Sequence, residues 1–350
     1  MQDFQKIIDA PQSDRKNLFS NTAIKIGTTI ENIEKDFWVC FVLKLLFEER
    51  RPKDPRLLFK GGTSLSKAYG LISRFSEDID ITVFREDIGE NIQIEKLNML
   101  SKKQRQRHIQ QIHNACQSYI QTSLYNRLHI QISKIFKKYN IDIANPVVLD
   151  PDDPDKQTLL IYYPSVVEHA NYIKPYIKIE AGAKSALEPH QLVNISPYIA
   201  NDINTMQLQV NNIVTINAER TFWDKIIILH GLRAWFDNRN ELRHQGNRIS
   251  RHYYDVFKLI NSQVGQKAMA NHPLANECTQ HAQIFFHRTP LNLEQAIPGS
   301  FKLTPTKEML NLLTRDYKAM STMIFGDVPS FEDIIESVIT LENNLNFKDP

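Results

Sequence analysis

Apolar residues first repeat at helical spacing. Ile33, Phe37, Phe41 and Leu45 fall four apart, flanked by Trp38, Val42 and Leu46. That period predicts a helix over 31–50 with a broad buried face. Two prolines and four charges at 51–56 (RPKDPR) break it, and the pattern then changes. Leu57-Leu58-Phe59 is a short apolar run stopped by Gly61-Gly62. A helix-length segment follows, and then Ile79, Ile81 and Val83 alternate with Asp78 and Asp80. This reads as strand, turn, helix, strand. Residues 146–149 and 159–163 predict two further strands around an acidic turn at 150–155. Residues 176–180 predict another, with Tyr176, Lys178 and Glu180 on one face. Residues 1–30 read as an irregular arm or short helices, and 91–140 as polar helix. Beyond Pro197 helical periods dominate, over 218–232, 306–325 and 331–345. The arginine- and asparagine-rich stretch 233–251 reads as a mobile segment between them. The fold class predicted is α+β: a mixed sheet flanked by helices over 1–200, followed by an all-helical C-terminal domain over 201–350.

Composition adds limits. A chain of 350 residues with 42% apolar and 23% charged residues is ordinary globular material, with length for about two domains. No apolar run approaches the ~20 residues that span a bilayer, and the polar N-terminus has no secretory pattern. Three widely separated cysteines, Cys40, Cys116 and Cys278, exclude a disulfide framework and a cysteine-rich zinc site and fit a reducing cytoplasm. A formal charge of +2 permits a nucleic-acid partner without arguing for one. The basic cluster Lys102, Lys103, Arg105, Arg107 and His108 is either a solvated helix face or a surface that follows a nucleic-acid backbone. The acidic loop 150–155 lacks the central glycine and terminal glutamate of a calcium hand and reads as surface.

The chemistry concentrates in residues 57–83. Gly61 and Gly62 let backbone approach a ligand closely, and Thr63 and Ser64 can cap the helix that follows. Free N–H groups and the dipole at a helix start favour phosphate. The same four residues also read as a plain cap. Asp78 and Asp80 share one strand face, roughly 7 Å apart, where they repel each other. A divalent cation offsets that cost, and Mg²⁺ is commonly held by one or two carboxylates together with substrate phosphates. An isolated Asp-x-Asp also reads as a solvent-facing edge. The phosphate-holding turn one helix earlier favours the metal, with Arg74 and Ser76 as further phosphate contacts.

The motifs KGGTSL at 60–65 and RFSEDID at 74–80 together resemble the AbiEii/AbiGii-type abortive-infection nucleotidyltransferase toxins. That family belongs to the DNA polymerase beta-like nucleotidyltransferase superfamily. The resemblance implies a nucleotidyltransferase core, an active site in the cleft between core and helical domain, and Mg²⁺-dependent transfer of a nucleoside monophosphate from an NTP to an acceptor hydroxyl. Glu180 matches the family's third carboxylate, which completes the metal set of Asp78, Asp80 and Glu180 and activates the nucleophile. The run RTFWDK at 220–225 is similar to the third motif, whose lysine, here Lys225, contacts the nucleotide. From the residues alone Lys225 reads equally as a snorkelling lysine. RHYYDVF at 251–257 resembles the fourth motif, with Asp255 orienting Lys225 or a base in the site. The implied setting is a bacterial type IV toxin–antitoxin or phage-defence system with a separately encoded antitoxin and tRNA as acceptor. A small-molecule or protein acceptor, or a non-catalytic nucleotide-binding module, are the alternatives.

Overall fold

The computed structural model describes residues 1–167, 174–243 and 248–347. By packing the chain divides into two compact units. One comprises residues 1–68, 75–93 and 100–216, the other 69–74, 94–99 and 217–350. No described helix is long and apolar enough to cross a membrane.

The first unit opens with two helices, α1 (Gln2–Asp9) and α2 (Gln12–Ile26), over residues that read as an arm or short helices. Helix α3 (Ile30–Phe47) begins where the Thr29 side chain accepts from the Asn32 N–H, and residues 32–46 are all buried. Trp38 meets Phe37 and Phe41 edge-on within it. Strand β1 (Leu57–Lys60) runs straight into helix α4 (Gly61–Lys67), and β2 (Ile79–Val83) follows.

A helix buried all round must pair its charges. Three consecutive residues of α3 do so. Lys35 Nζ lies 2.6 Å from Glu77, and Asp36 lies 2.6 Å from Lys67 at the end of α4. Glu34 accepts from the Val166 N–H at 2.8 Å and the Ser165 hydroxyl at 2.6 Å. Burial nevertheless pushes the Glu34 carboxyl up to about 7. Burial would lower Lys67, yet Asp36 outweighs it and keeps the ammonium charged, 3.7 Å from the Tyr198 ring centre. Helix α3 thereby fixes both the end of α4 and the segment that enters β2.

Helix α5 (Ile94–Met99) belongs to the second unit, while α6 (Lys102–Tyr119) and α7 (Tyr125–Lys138) return to the first. Ser101 and Gln104 form a reciprocal capping box at the start of α6. The remaining strands are β3 (Val147–Leu149), β4 (Thr158–Tyr162), β5 (Tyr176–Gly182), β6 (His190–Ile195) and β7 (Val210–Ile216). They join one seven-stranded sheet in the order β3-β4-β5-β2-β1-β7-β6. The sheet is mixed: β2 pairs parallel to β5 and β1 parallel to β7, while the other pairs are antiparallel. The last two strands carry the sheet to Ile216, past the point where strand-like patterning fades in the sequence. Asn211 and Asn212 interrupt the apolar run of β7, and β6 is an exposed edge, so neither shows clean alternation.

The second unit is helical. It contains α5, α8 (Ala218–Arg239), α9 (Ser250–Ile260), α10 (Gln263–Ala270), α11 (His272–Phe285), α12 (Lys307–Met320) and α13 (Phe331–Asn346). The polar residues 233–239, which read as mobile, continue α8 instead. Residues 244–247 of that stretch lie outside the described residues. Arg233 is held by Asp237 one turn on, at 2.8 Å, so polar sequence and helix are compatible here. Asp316 of α12 accepts from the Arg248 and Ser250 N–H groups at 2.8 and 2.6 Å and so closes the start of α9. Ser330 caps α13 by accepting from the Asp333 N–H.

Candidate active site

The carboxylates come together through strand register. Asp80 lies opposite Lys60 of β1 and opposite Glu180 of β5, and Glu180 in turn lies opposite Thr158 of β4. Side chains of paired residues stand on the same face, so Lys60, Asp80, Glu180 and Thr158 form one row across four strands. Within β2 the other side chains are buried, and Asp80 is the half-buried exception. Asp78 sits just before β2, one pleat back from Asp80 on the same face.

Gly61 explains the turn between β1 and α4. Its φ is +81°, and a Cβ added there would stand 2.0 Å from Asp80 Oδ2. Only glycine admits both that backbone and that carboxylate. Thr63 and Ser64 take a different role from the capping side chains that the sequence suggests. Lys60 is the cap residue and α4 starts at Gly61, so Thr63 and Ser64 lie inside the helix and are fully buried. The Thr63 hydroxyl bonds the Asp78 main-chain carbonyl and lies 2.9 Å from Ser76 Oγ. The Ser64 hydroxyl donates to the Gly61 carbonyl at 2.9 Å. These two side chains therefore fix Asp78 and the glycine turn. The backbone N–H groups of the first helical turn have no acceptor within α4.

Gly61→Ala is expected to lower transfer activity about a hundredfold, because the Asp80 carboxylate must move aside. Thermal stability should fall by only about 1–2 kcal/mol, the usual cost of an alanine at positive φ. Melting and single-turnover rates measured on one preparation check both parts. A Gly61→Ala enzyme of normal activity would show that Asp80 need not stay where Gly61 leaves room for it.

Lys178 was not singled out by sequence reasoning. It stands on β5 two residues before Glu180, with its ammonium 3.0 Å from Glu180 Oε1 and 3.4 Å from Asp150 Oδ2. Partial burial would lower it, but Glu180, with Asp78 and Asp150, outweighs that and pushes it up to about 12. Asp150 ends the β3 side of the acidic loop and is largely buried, unlike a surface-loop residue. The signal available in the sequence was Lys178 sharing a strand face with Glu180. Nothing local pointed to Asp150.

The oxygen donors Asp78, Asp80 and Glu180 are of the hard kind that a divalent cation such as Mg²⁺ takes. The space that Gly61 leaves free of a Cβ is filled by the Asp80 carboxylate itself, which the glycine thereby keeps close against the turn. Among the described residues no three His, Cys, Asp or Glu side chains converge as a ready metal cage.

Arg74, Lys225 and Asp255 meet in the helical unit. Arg74 donates to both Asp255 oxygens, Nε to Oδ1 at 2.7 Å and an Nη to Oδ2 at 2.8 Å. Lys225 Nζ lies 2.8 Å from Asp255 Oδ2, and all three side chains are buried. Burial alone would raise the Asp255 carboxyl, but Arg74 and then Lys225 overcome it and hold it far below the usual carboxylate range. Burial lowers Lys225, against the pull of Asp255. Burial, then the charges of Lys225 and Arg251, keep the nearby His252 ring neutral. Asp255 thus holds Lys225 in place. Sequence reasoning assigned Arg74 to the phosphates; in the structure its guanidinium is forked onto Asp255.

Residues 44–337 match the family described as nucleotidyl transferase AbiEii toxin, type IV TA system. Among solved structures the chain is similar to MenT4, a nucleotidyltransferase toxin from Mycobacterium tuberculosis H37Rv. The identity is 16% and the TM-score 0.45, over 94% of this chain and 97% of that one. No curated protein matches the chain.

Proposed function

The chain belongs to the AbiEii nucleotidyltransferase toxin family of type IV toxin–antitoxin systems, and from that premise we propose that it transfers a nucleoside monophosphate to the acceptor end of tRNA. The observation that carries the choice of site is the row Lys60–Asp80–Glu180 beside Gly61. In the proposed reaction an acceptor hydroxyl oxygen attacks the α-phosphorus of the NTP. Its proton passes to the Glu180 carboxylate, the bond from the α-phosphorus to the bridging oxygen breaks, and pyrophosphate leaves. Asp78 and Asp80, with Glu180, would hold Mg²⁺, which supplies charge neutralisation at the triphosphate when bound. Backbone N–H groups from Gly61 to Ser64 would take the β- and γ-phosphates. Ser76 keeps Thr63, and through it Asp78, in position. Lys225, fixed by Asp255 and backed by Arg74, is proposed as a nucleotide phosphate contact.

Support for an RNA acceptor comes from the start of α6, where Lys102, Lys103 and Arg107 are exposed. Action in the cytoplasm, in phage defence and under a separately encoded antitoxin completes the proposal. Incubating the protein with each of four α-labelled NTPs, Mg²⁺ and total RNA tests it. Label is expected in tRNA from one preferred NTP. Label in protein or a small molecule alone overturns the tRNA assignment, and no transfer to any acceptor overturns the catalytic reading of this chain.

A further inference from the structure

Lys178 introduces a positive charge where the proposed reaction needs a cation of another kind. On the parallel strands β2 and β5, Asp80 pairs with Glu180, and each has a charged residue two positions earlier in the chain: Asp78 just before β2 and Lys178 on β5. The Lys178 ammonium lies among these groups, at 3.0 Å from Glu180 and 3.4 Å from Asp150. Its second acceptor is held from behind. The Asp152 N–H donates to Asp150 Oδ1 at 3.0 Å, which leaves Oδ2 turned to the lysine. Lys178 therefore has one partner within the proposed metal set and one outside it.

We propose that Lys178 is a positioning residue that competes with the divalent cation for Glu180, and that Asp150 is the alternative partner that keeps it within the site. The inference rests on the carboxylate site proposed above. An ammonium and a divalent ion cannot both lie against one Glu180 oxygen without strong repulsion, since like charges a few ångströms apart are unfavourable even in a half-exposed site. When a divalent ion takes Glu180, the ammonium moves fully to Asp150. Lys178 thus weakens metal binding without contributing an oxygen to it, and Asp150 limits that weakening. One consequence is that the metal is held loosely until a triphosphate adds its own oxygens.

Direct Mn²⁺ binding to the full chain, read by electron paramagnetic resonance without nucleotide, tests this apart from activity. Lys178→Met is expected to tighten Mn²⁺ roughly tenfold, the scale of removing one charge beside a divalent ion. Lys178→Arg, which keeps the charge, should stay within about twofold of wild type, and circular dichroism of both variants should match wild type. Asp150→Asn should weaken Mn²⁺ several-fold, because the lysine is then left with Glu180 alone. Asp80→Asn separates the two readings. If the wild-type chain binds no Mn²⁺ that Asp80→Asn removes, the carboxylate site itself fails and the inference with it. If that binding is present but Lys178→Met leaves it unchanged or weaker, the site stands and the competition is overturned.

Discussion

Asp80→Asn is expected to lower nucleotidyl transfer by at least about 10³-fold, roughly 4 kcal/mol of transition-state stabilisation. The chain should melt within a few degrees of wild type. Asparagine keeps the shape of aspartate and removes only the charge. Asp80 is half-buried, and its Oδ1 lies 3.9 Å from the ammonium of Lys60, itself half-buried, a separation at which an ion pair adds little to stability. The loss should therefore appear in the chemical step rather than in folding. Single-turnover transfer at saturating Mg²⁺ and NTP is the proper measurement, because it separates a lower rate from weaker binding. Raising Mg²⁺ further should recover little of the rate, since a neutral amide is a poor replacement ligand for a hard cation. Full activity in Asp80→Asn, or full toxicity in cells expressing it, would remove Asp80 from the mechanism and with it the reading built on the row of paired strands.

How much of this site is readable from the chain follows from which contacts are local. Asp78 and Asp80 are two apart where the chain enters β2, so alternation in the sequence suffices to suggest a shared face. Glu180 lies on a strand that alternates cleanly, Tyr176, Lys178 and Glu180 against buried Ile177 and Ile179. Its pairing with Asp80 needs the sheet order, which the family resemblance implies and no local pattern contains. Thr63 and Ser64 are misread for a related reason. A Gly-Gly-Thr-Ser run looks like a turn followed by a cap, whereas here β1 passes into α4 at Gly61 itself because the first glycine takes the positive φ. Both hydroxyls are then inside, and their partners are a carbonyl fifteen residues on and a carbonyl three residues back.

The larger fold divides along the same line. Helix α3 is legible because its apolar period is long and strong. The partners of its run Glu34-Lys35-Asp36, namely Ser165, Glu77 and Lys67, lie far off in the chain, so no local pattern contains them. Strands β6 and β7 are hard to see because exposed polar residues break their alternation. The polar end of α8 is helical where composition suggested mobility, since a helix already buried over much of its length continues with i,i+4 pairs such as Arg233–Asp237.

Asp255→Ala is expected to be the most destabilising single change in the helical unit, at about 3–5 kcal/mol, or roughly 10 °C in melting temperature. The substitution leaves the Arg74 guanidinium and the Lys225 ammonium buried without the carboxylate that accepts from both. The pH dependence has a definite sign. The folded carboxyl lies far below its ordinary value, so in wild type its contribution is fully present above about pH 4 and is lost as pH falls through the folded value. Asp255→Ala should therefore lower stability at neutral pH and reduce the acid-induced loss that follows, measured by urea unfolding at several pH values. Replacing all three groups, Arg74→Met with Lys225→Met and Asp255→Leu, separates structure from chemistry. Apolar residues of similar volume often restore or exceed the stability of a buried ion cluster. The triple variant should recover most of the stability lost in Asp255→Ala, yet remain at least about a hundredfold slower in transfer, because a methionine cannot offset phosphate charge as Lys225 is proposed to do. A triple variant that is both stable and fully active would reduce the cluster to a structural tie and remove Lys225 from nucleotide binding.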